Sequence, residues 1–205
     1  MPSGSVNPRT DEDGGISLWD TGTWTPHTVT LSEDEVGTVG GIEALAFSPD
    51  DTLLAVAGSN KVVLFEVAAQ TWLPLPDHYI AWDVAFGHGG QLLAAATGTS
   101  KPQGLWLWDI ERQVLRDSFK SGNLISSVAF ASDGIVIAIG MESFGNIYLW
   151  DTNASPNDPD KSTVLWIDEG QTVADLEFSP DGKLLASVAG HALNLWGVCE
   201  GVEPE

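Results

Sequence analysis

Acidic and aromatic side chains occupy matching positions in four similar apolar segments. The segments are aligned by their phenylalanines, Phe47, Phe86, Phe130 and Phe178. Four places before the phenylalanine stand Glu43, Trp82 and Ser126, and Asp83 and Asp175 each stand one place further along. Carboxylates attract cationic groups, and tryptophan and tyrosine anchor many protein interfaces. His78 and Tyr79 stand shortly before Trp82 in the sequence. We therefore expect a surface that binds a protein or a basic peptide, formed by Glu43, His78, Tyr79, Trp82, Asp83, Ser126 and Asp175.

Trp82 also has a purely structural interpretation. The residues aligned with it, Glu43, Ser126 and Ala174, are all smaller. An indole at this position either fills a gap between packed elements or anchors a side chain of a partner. The sequence leaves both interpretations open.

Other reactive residues lack the spacing that catalysis or metal binding requires. The four histidines, His27, His78, His88 and His191, fall in different repeats. The stretch from Asp151 to Asp160 begins like a calcium loop, but Pro156 and Ser162 stand where glycine and glutamate are needed. Neither a Ser-His-Asp pattern nor a phosphate-binding glycine loop occurs. We therefore expect no catalytic residues, no bound metal and no cofactor.

The charge balance narrows the classes of partner. The chain has 29 Asp and Glu against 8 Lys and Arg, a net charge of −21. Such a surface repels phosphate backbones and anionic membranes, so we expect no nucleic-acid or membrane partner. A surface that is acidic only for solubility is the plainer interpretation. The lone Cys199 and the absence of a signal-peptide pattern predict a cytoplasmic protein.

Five segments with a common ending reveal an internal repeat. They are ISLWD, VVLFE, LWLWD, IYLWD and LNLWG, and their aromatic residues are Trp19, Phe65, Trp108, Trp150 and Trp196. A spacing in the forties, with a strand–turn–strand pattern before each of the last four endings, is typical of four-stranded propeller blades. Counting strands along the chain predicts groups of two, four, four, four and three.

The repeat resembles the tryptophan-aspartate (WD) repeat family of β-propellers. The residues that carry the resemblance are the FSPDG-type turn, as at 178–182, the Leu-Leu-Ala that follows it, and the Leu-Trp-Asp ending. The resemblance covers about residues 15–197 and implies an all-β fold of WD-repeat type. We expect an open arc of about four blades with incomplete first and last blades. In this family the innermost strand of each blade begins at the face commonly used for binding.

Two departures from the family pattern concern the hydrogen-bond network of the blades. The Gly-His pair that usually opens a repeat is absent, and so is the Asp before the third strand. The His–Asp–Ser–Trp network of family members is therefore not expected in any blade. We expect the tryptophans to act as large apolar plugs.

The resemblance also sets the expected organisation and function. We divide the chain into a flexible acidic N-terminal segment (1–14), a propeller segment (15–197, with repeat ends at 20, 66, 109, 151 and 197) and an acidic C-terminal tail (198–205). The function expected is that of a non-catalytic interaction scaffold within a larger propeller or multidomain protein. The alternatives are a propeller-type hydrolase or metal-dependent enzyme with a site at the central channel, and a structural domain without a ligand. Since an open arc exposes its terminal faces, pairing with another copy or with further blades is also expected.

Overall fold

The computed structural model contains five antiparallel β-sheets. It describes residues 15–30, 39–75, 80–97, 104–143, 145–154, 162–166 and 171–197. Within these residues there are 17 strands, in sheets of two, four, four, four and three, which confirms the predicted grouping. Residues 1–14 and 198–205, predicted as terminal segments, lie outside the described residues. No helix in the described ranges is long and apolar enough to cross a membrane.

The sheets follow one another along the chain, and neighbouring strands are consecutive in sequence. The first sheet contains β1 (Gly15–Asp20) and β2 (Thr25–Thr30). The second contains β3 (Ile42–Phe47), β4 (Leu53–Gly58), β5 (Val62–Glu66) and β6 (Thr71–Pro74). The third contains β7 (Ala81–Gly87), β8 (Leu92–Thr97), β9 (Gly104–Asp109) and β10 (Val114–Phe119).

The last two sheets repeat this order. The fourth contains β11 (Ile125–Phe130), β12 (Val136–Met141), β13 (Asn146–Asp151) and β14 (Ser162–Trp166). The fifth contains β15 (Val173–Phe178), β16 (Leu184–Ala189) and β17 (Ala192–Gly197). The arrangement confirms the prediction of β-propeller blades. In the last four sheets the strand that ends in the repeated aromatic is the third, namely β5, β9, β13 and β17.

The second and third strands of each interior blade form its centre. All six residues of β8 are buried, and so are the first five residues of β9. A strand covered on both faces is apolar throughout, and the alanines of β8 allow neighbouring sheets to approach closely. The alternation of large and small side chains therefore sets the spacing between blades.

Each sheet packs face to face on the next one. Leu92, Ala94 and Ala96 of β8 lie in one cluster with Ile137 and Ile139 of β12. Equivalent clusters join the first sheet to the second, the second to the third, and the fourth to the fifth. The hydrophobic core is therefore a series of layers between blades, in which the aromatic endings Phe65, Trp108 and Trp150 are fully buried.

One expectation about the tryptophans is wrong in the fifth sheet. There Trp196 Nε1 donates to Ser187 Oγ at 3.0 Å, which is the serine–tryptophan part of the network that was expected to be absent. In the fourth sheet Trp150 Nε1 donates instead to the backbone carbonyl of Ala154 at 3.2 Å. The buried Trp150 and the partly buried Trp196 thus each donate to an acceptor of another kind than the family's full network provides, as a Trp N–H usually does when it is shielded from water.

The turn between the third and fourth strands provides a stability test. Gln113 has a φ of 53°, and Gln70 and Trp24, in the same turn of other sheets, have φ values of 54° and 56°. This left-handed conformation costs an L-residue roughly 1–2 kcal/mol and costs glycine almost nothing, although glycine loses about 0.5–1 kcal/mol to backbone entropy. Gln113→Gly should therefore raise the free energy of unfolding by about 0.5–1 kcal/mol in chemical denaturation.

The matched control is Gln91→Gly, at a turn position whose φ is not positive. It should lower the free energy of unfolding by about 0.5–1 kcal/mol, since glycine brings only its entropic cost there. Equal losses in the two variants would contradict the proposed backbone effect.

Candidate functional site

The first strands of the last four sheets, β3, β7, β11 and β15, are the innermost strands of their blades, and each has a β-bulge near its beginning. In β3 the register passes from Ile42↔Gly58 to Ala44↔Ala57, so that Glu43 is an extra residue without a partner. The same shift occurs in β7, β11 and β15, between the pairs Ala81/Asp83, Ile125/Ser127 and Val173/Asp175. A bulge bends the strand and redirects its side chains, and bulges are common beside binding and active sites.

Five of the predicted site residues lie at or directly after a bulge, in equivalent positions of their strands. The four bulged residues are Glu43, Trp82, Ser126 and Ala174, and Asp83 and Asp175 are the next residues in their strands. The side chains of Glu43 and Asp175 are exposed, whereas Trp82 is partly buried. His78 and Tyr79 lie outside the described residues. The role of all seven residues in binding stays a prediction.

The spacing of apolar residues within the inner strands indicates the bulge, although the alignment of the four segments on their phenylalanines did not reveal it. Buried residues on a regular strand recur at even spacings. In β7, β11 and β15 the buried pairs Ala81 and Val84, Ile125 and Val128, and Val173 and Leu176 are three residues apart. An odd spacing at the same place in successive repeats indicates one extra residue, and it could have located the bulge.

Asp83 joins the third sheet to the fourth through its carboxylate. Its Oδ2 accepts hydrogen bonds from Ser127 Oγ at 3.0 Å and from the Val128 backbone N–H at 2.8 Å. Its Oδ1 accepts one from the Val84 N–H at 2.8 Å. Both atoms of the carboxylate are therefore engaged, and the contact with β11 holds two neighbouring blades together.

Burial dominates the protonation of Asp83. It raises the pKa of the carboxyl from 3.8 to about 6, although hydrogen bonds from Val128, Ser127 and Val84 act in the opposite direction. The negative charge of Asp175 adds a further, smaller rise in this pKa. The group is therefore a carboxyl that changes charge just below neutral pH, at a junction between blades.

Ser126 makes the corresponding contact between the fourth and fifth sheets. Its hydroxyl donates to the backbone carbonyl of Val173 at 2.6 Å. Gly140 of β12 lets the two sheets approach closely here, because a Cβ at this position would lie 2.7 Å from Cγ1 of Val173. Two of the predicted site residues thus connect successive blades, which the sequence did not indicate.

Asp175 gives the inner strands a shared negative potential. Its Oδ1 accepts a hydrogen bond from the Leu176 N–H at 2.9 Å. Its charge helps to raise the pKa of Asp83, and after desolvation it is the second cause of a raised pKa at Glu177. Such a potential attracts cationic groups. The described residues contain no group of three or more His, Cys, Asp or Glu side chains placed to hold a metal ion.

A cleft of about 450 Å³ lies at the other end of the blades. Arg112 and Arg116 line it, together with residues from the turns that follow β7, β9 and β13. Arg112 pairs with Asp109, and Arg116 donates to the carbonyl of Thr152 at 3.3 Å. None of the bulged residues lines this cleft, so its volume does not bear on the predicted site.

Comparison with known families agrees with the geometry. Residues 29–66 match the family model described as WD domain, G-beta repeat. The matched range includes β3, β4 and β5, whose strand order recurs in the third and fourth sheets. No curated protein matched the chain. The match confirms the resemblance drawn from the repeated segments.

The buried carboxyl of Asp83 predicts a specific pH dependence. Since its pKa is higher in the folded state, the folded protein binds this proton more tightly than the unfolded chain between about pH 4 and pH 6. The contribution of Asp83 to stability is therefore highest below pH 4 and falls as the pH rises through 6. The change expected over this range is on the order of 3 kcal/mol.

The variant Asp83→Asn removes this titration. Its stability relative to the parent should be lowest at acidic pH and should improve towards neutral pH, measured by chemical denaturation across the range. The control Asp51→Asn makes the same substitution at an exposed turn, away from the junction between blades. A difference between Asp83→Asn and the parent that stays constant with pH would contradict the assignment.

Proposed function

We propose that this chain, which resembles the WD-repeat family, is an interaction scaffold that binds a basic protein segment where its inner strands begin. Proteins of the family typically serve as non-enzymatic scaffolds for protein interactions, which gives the general class of function. The basic partner and the surface are our proposal. The observation that carries it is the bulge repeated at one position in four blades, with acidic and aromatic side chains at or beside it.

Charge supports a cationic partner. Glu43 and Asp175 are exposed at the bulges, and Asp83 and Glu142 are partly buried at the same end of the blades. The described lysines near this end are Lys61 and Lys120, and His191 lies in the turn between β16 and β17. The carboxylates thus outnumber the lysines locally as well as in the whole chain, whose net charge is −21. Complementary charge steers a basic segment to such a surface and suppresses acidic competitors.

Trp82 supports the proposal as an anchor for the partner. It is the bulged residue of β7, and it is only partly buried although its strand neighbours Ala81 and Val84 are buried. A partly buried indole has few freely rotating bonds to restrict on binding and offers a large contact area to a partner. It also stands next to Asp83, so that apolar contact and negative charge occur together.

The proposal is tested with fluorescein-labelled peptides rich in Lys and Arg, and with matched peptides that carry Gln instead. Fluorescence anisotropy should detect binding of the basic peptides only, and added salt should weaken it because the attraction is screened. Trp82→Ala should weaken binding at least about tenfold, as expected of an interface hot spot. Asp175→Asn should weaken it by a smaller factor.

The controls carry the same substitutions at the opposite end of the blades. Trp24→Ala removes an exposed indole, and Asp51→Asn removes an exposed carboxylate. Neither should change the affinity for the basic peptides. Equal losses in these controls would overturn the proposed surface, and a failure of every basic peptide to bind would overturn the proposed partner.

A further inference from the structure

The fifth sheet exposes an apolar face. Leu193 and Leu195 of β17 are 68% and 66% exposed, and Leu184 and Val188 of β16 are also exposed. Strand pairing places Val188 opposite Leu193 and Ala186 opposite Leu195. Since paired residues and alternate residues share a face, these side chains form one continuous patch. We name it the leucine face: Leu184, Ala186, Val188, Leu193 and Leu195.

The same register positions are buried in the preceding blade interfaces. In the third sheet they are occupied by Leu92, Ala94, Ala96, Leu105 and Leu107, all at most 3% exposed. Those residues pack on Ile137, Ile139 and Trp150 of the following sheet. The second and fourth sheets use the equivalent face in the same way. The leucine face is therefore one half of an interface that this chain forms repeatedly.

The other half of that interface is exposed on the first sheet. In the interior sheets the opposing surface includes the aromatic ending, and Phe65, Trp108 and Trp150 are at most 2% exposed. Trp19 has the same position in β1, yet it is 57% exposed. Ile16, on the opposite side of β1, is buried against the second sheet. One end of the arc thus presents leucines, and the other presents the tryptophan.

We propose that the leucine face binds the Trp19 face of a second copy of this chain, head to tail. Every interior interface joins these two kinds of face, so a contact between copies continues the packing already present within one chain. Such a heterologous contact either closes into a ring or extends into a filament. Asp175 and Glu177 share the leucine face through their pairing with Val188 and Ala186. Charge repulsion between two acidic copies therefore opposes an apolar attraction.

The mass in solution tests the proposal directly. Sedimentation velocity on the full chain should show species of at least twice 21.8 kDa, and their fraction should rise with protein concentration. Added salt should strengthen association because it screens the repulsion between copies. This is the reverse of the salt effect expected for a basic peptide, so the two proposals can fail independently. A monomer at all concentrations and salt levels would overturn the pairing of copies.

Substitutions at the two ends test which faces meet. Leu193→Gln with Leu195→Gln should raise the dissociation constant at least about tenfold, and Trp19→Ala should do the same. These side chains are exposed, so circular dichroism should show an unchanged fold. Val114→Gln, at an exposed valine of the outer strand β10, is the matched control and should leave association unchanged. Retained association in the double leucine variant would overturn the assignment.

Mixing the two variants decides the geometry. The leucine variant keeps an intact Trp19 face, and the Trp19→Ala variant keeps an intact leucine face. In a head-to-tail assembly a mixture contains one undamaged interface per pair, so equimolar mixing should restore dimers that neither variant forms alone. Failure to restore them would overturn the head-to-tail contact.

Discussion

Face-to-face packing of β-sheets is the interaction on which the rest of this structure depends. Each interior blade places small and branched side chains on one face and a large aromatic on the other, as Ala94 and Trp108 do in the third sheet. The large residues of one blade fill the space left by the small residues of its neighbour, and interiors are stable only when such volumes match. Burial of both faces makes the two central strands apolar throughout.

Polar groups at the start of the inner strands add order to this packing. Asp83 and Ser126 connect successive blades at one end, where the bulges interrupt regular strand pairing. A buried carboxylate is costly unless it is hydrogen-bonded, and Asp83 accepts three hydrogen bonds yet still has a raised pKa. The same end of the blades therefore contains both the contacts that join blades and the side chains of the proposed binding surface. In β7 the two roles fall on adjacent residues, Asp83 and Trp82.

The sequence predicted the blades well because their physics is local and repeated. An apolar run, a turn with Pro, Asp or Gly, and an aromatic ending determine strand positions without long-range information, so that the predicted and observed groups of strands agree. The site was predicted less fully. Alignment on the phenylalanines placed Glu43, Trp82 and Ser126 at one position, but it gave no indication that Ser126 donates to Val173 or that Asp83 accepts from Val128. Those contacts join residues more than 40 positions apart.

The sequence by itself determined the fold class, the blade boundaries and the acidic character of the chain, because composition and period act within each repeat. Only the tertiary structure decided which of these carboxylates is buried, where each bulge redirects a side chain, and which blade faces stay exposed. Trp19 and Trp108 are in nearly identical segments, GISLWD and GLWLWD, but one is 57% exposed and the other 1%. Their difference comes from what packs against each, and that depends on neighbouring strands that the segment itself does not encode.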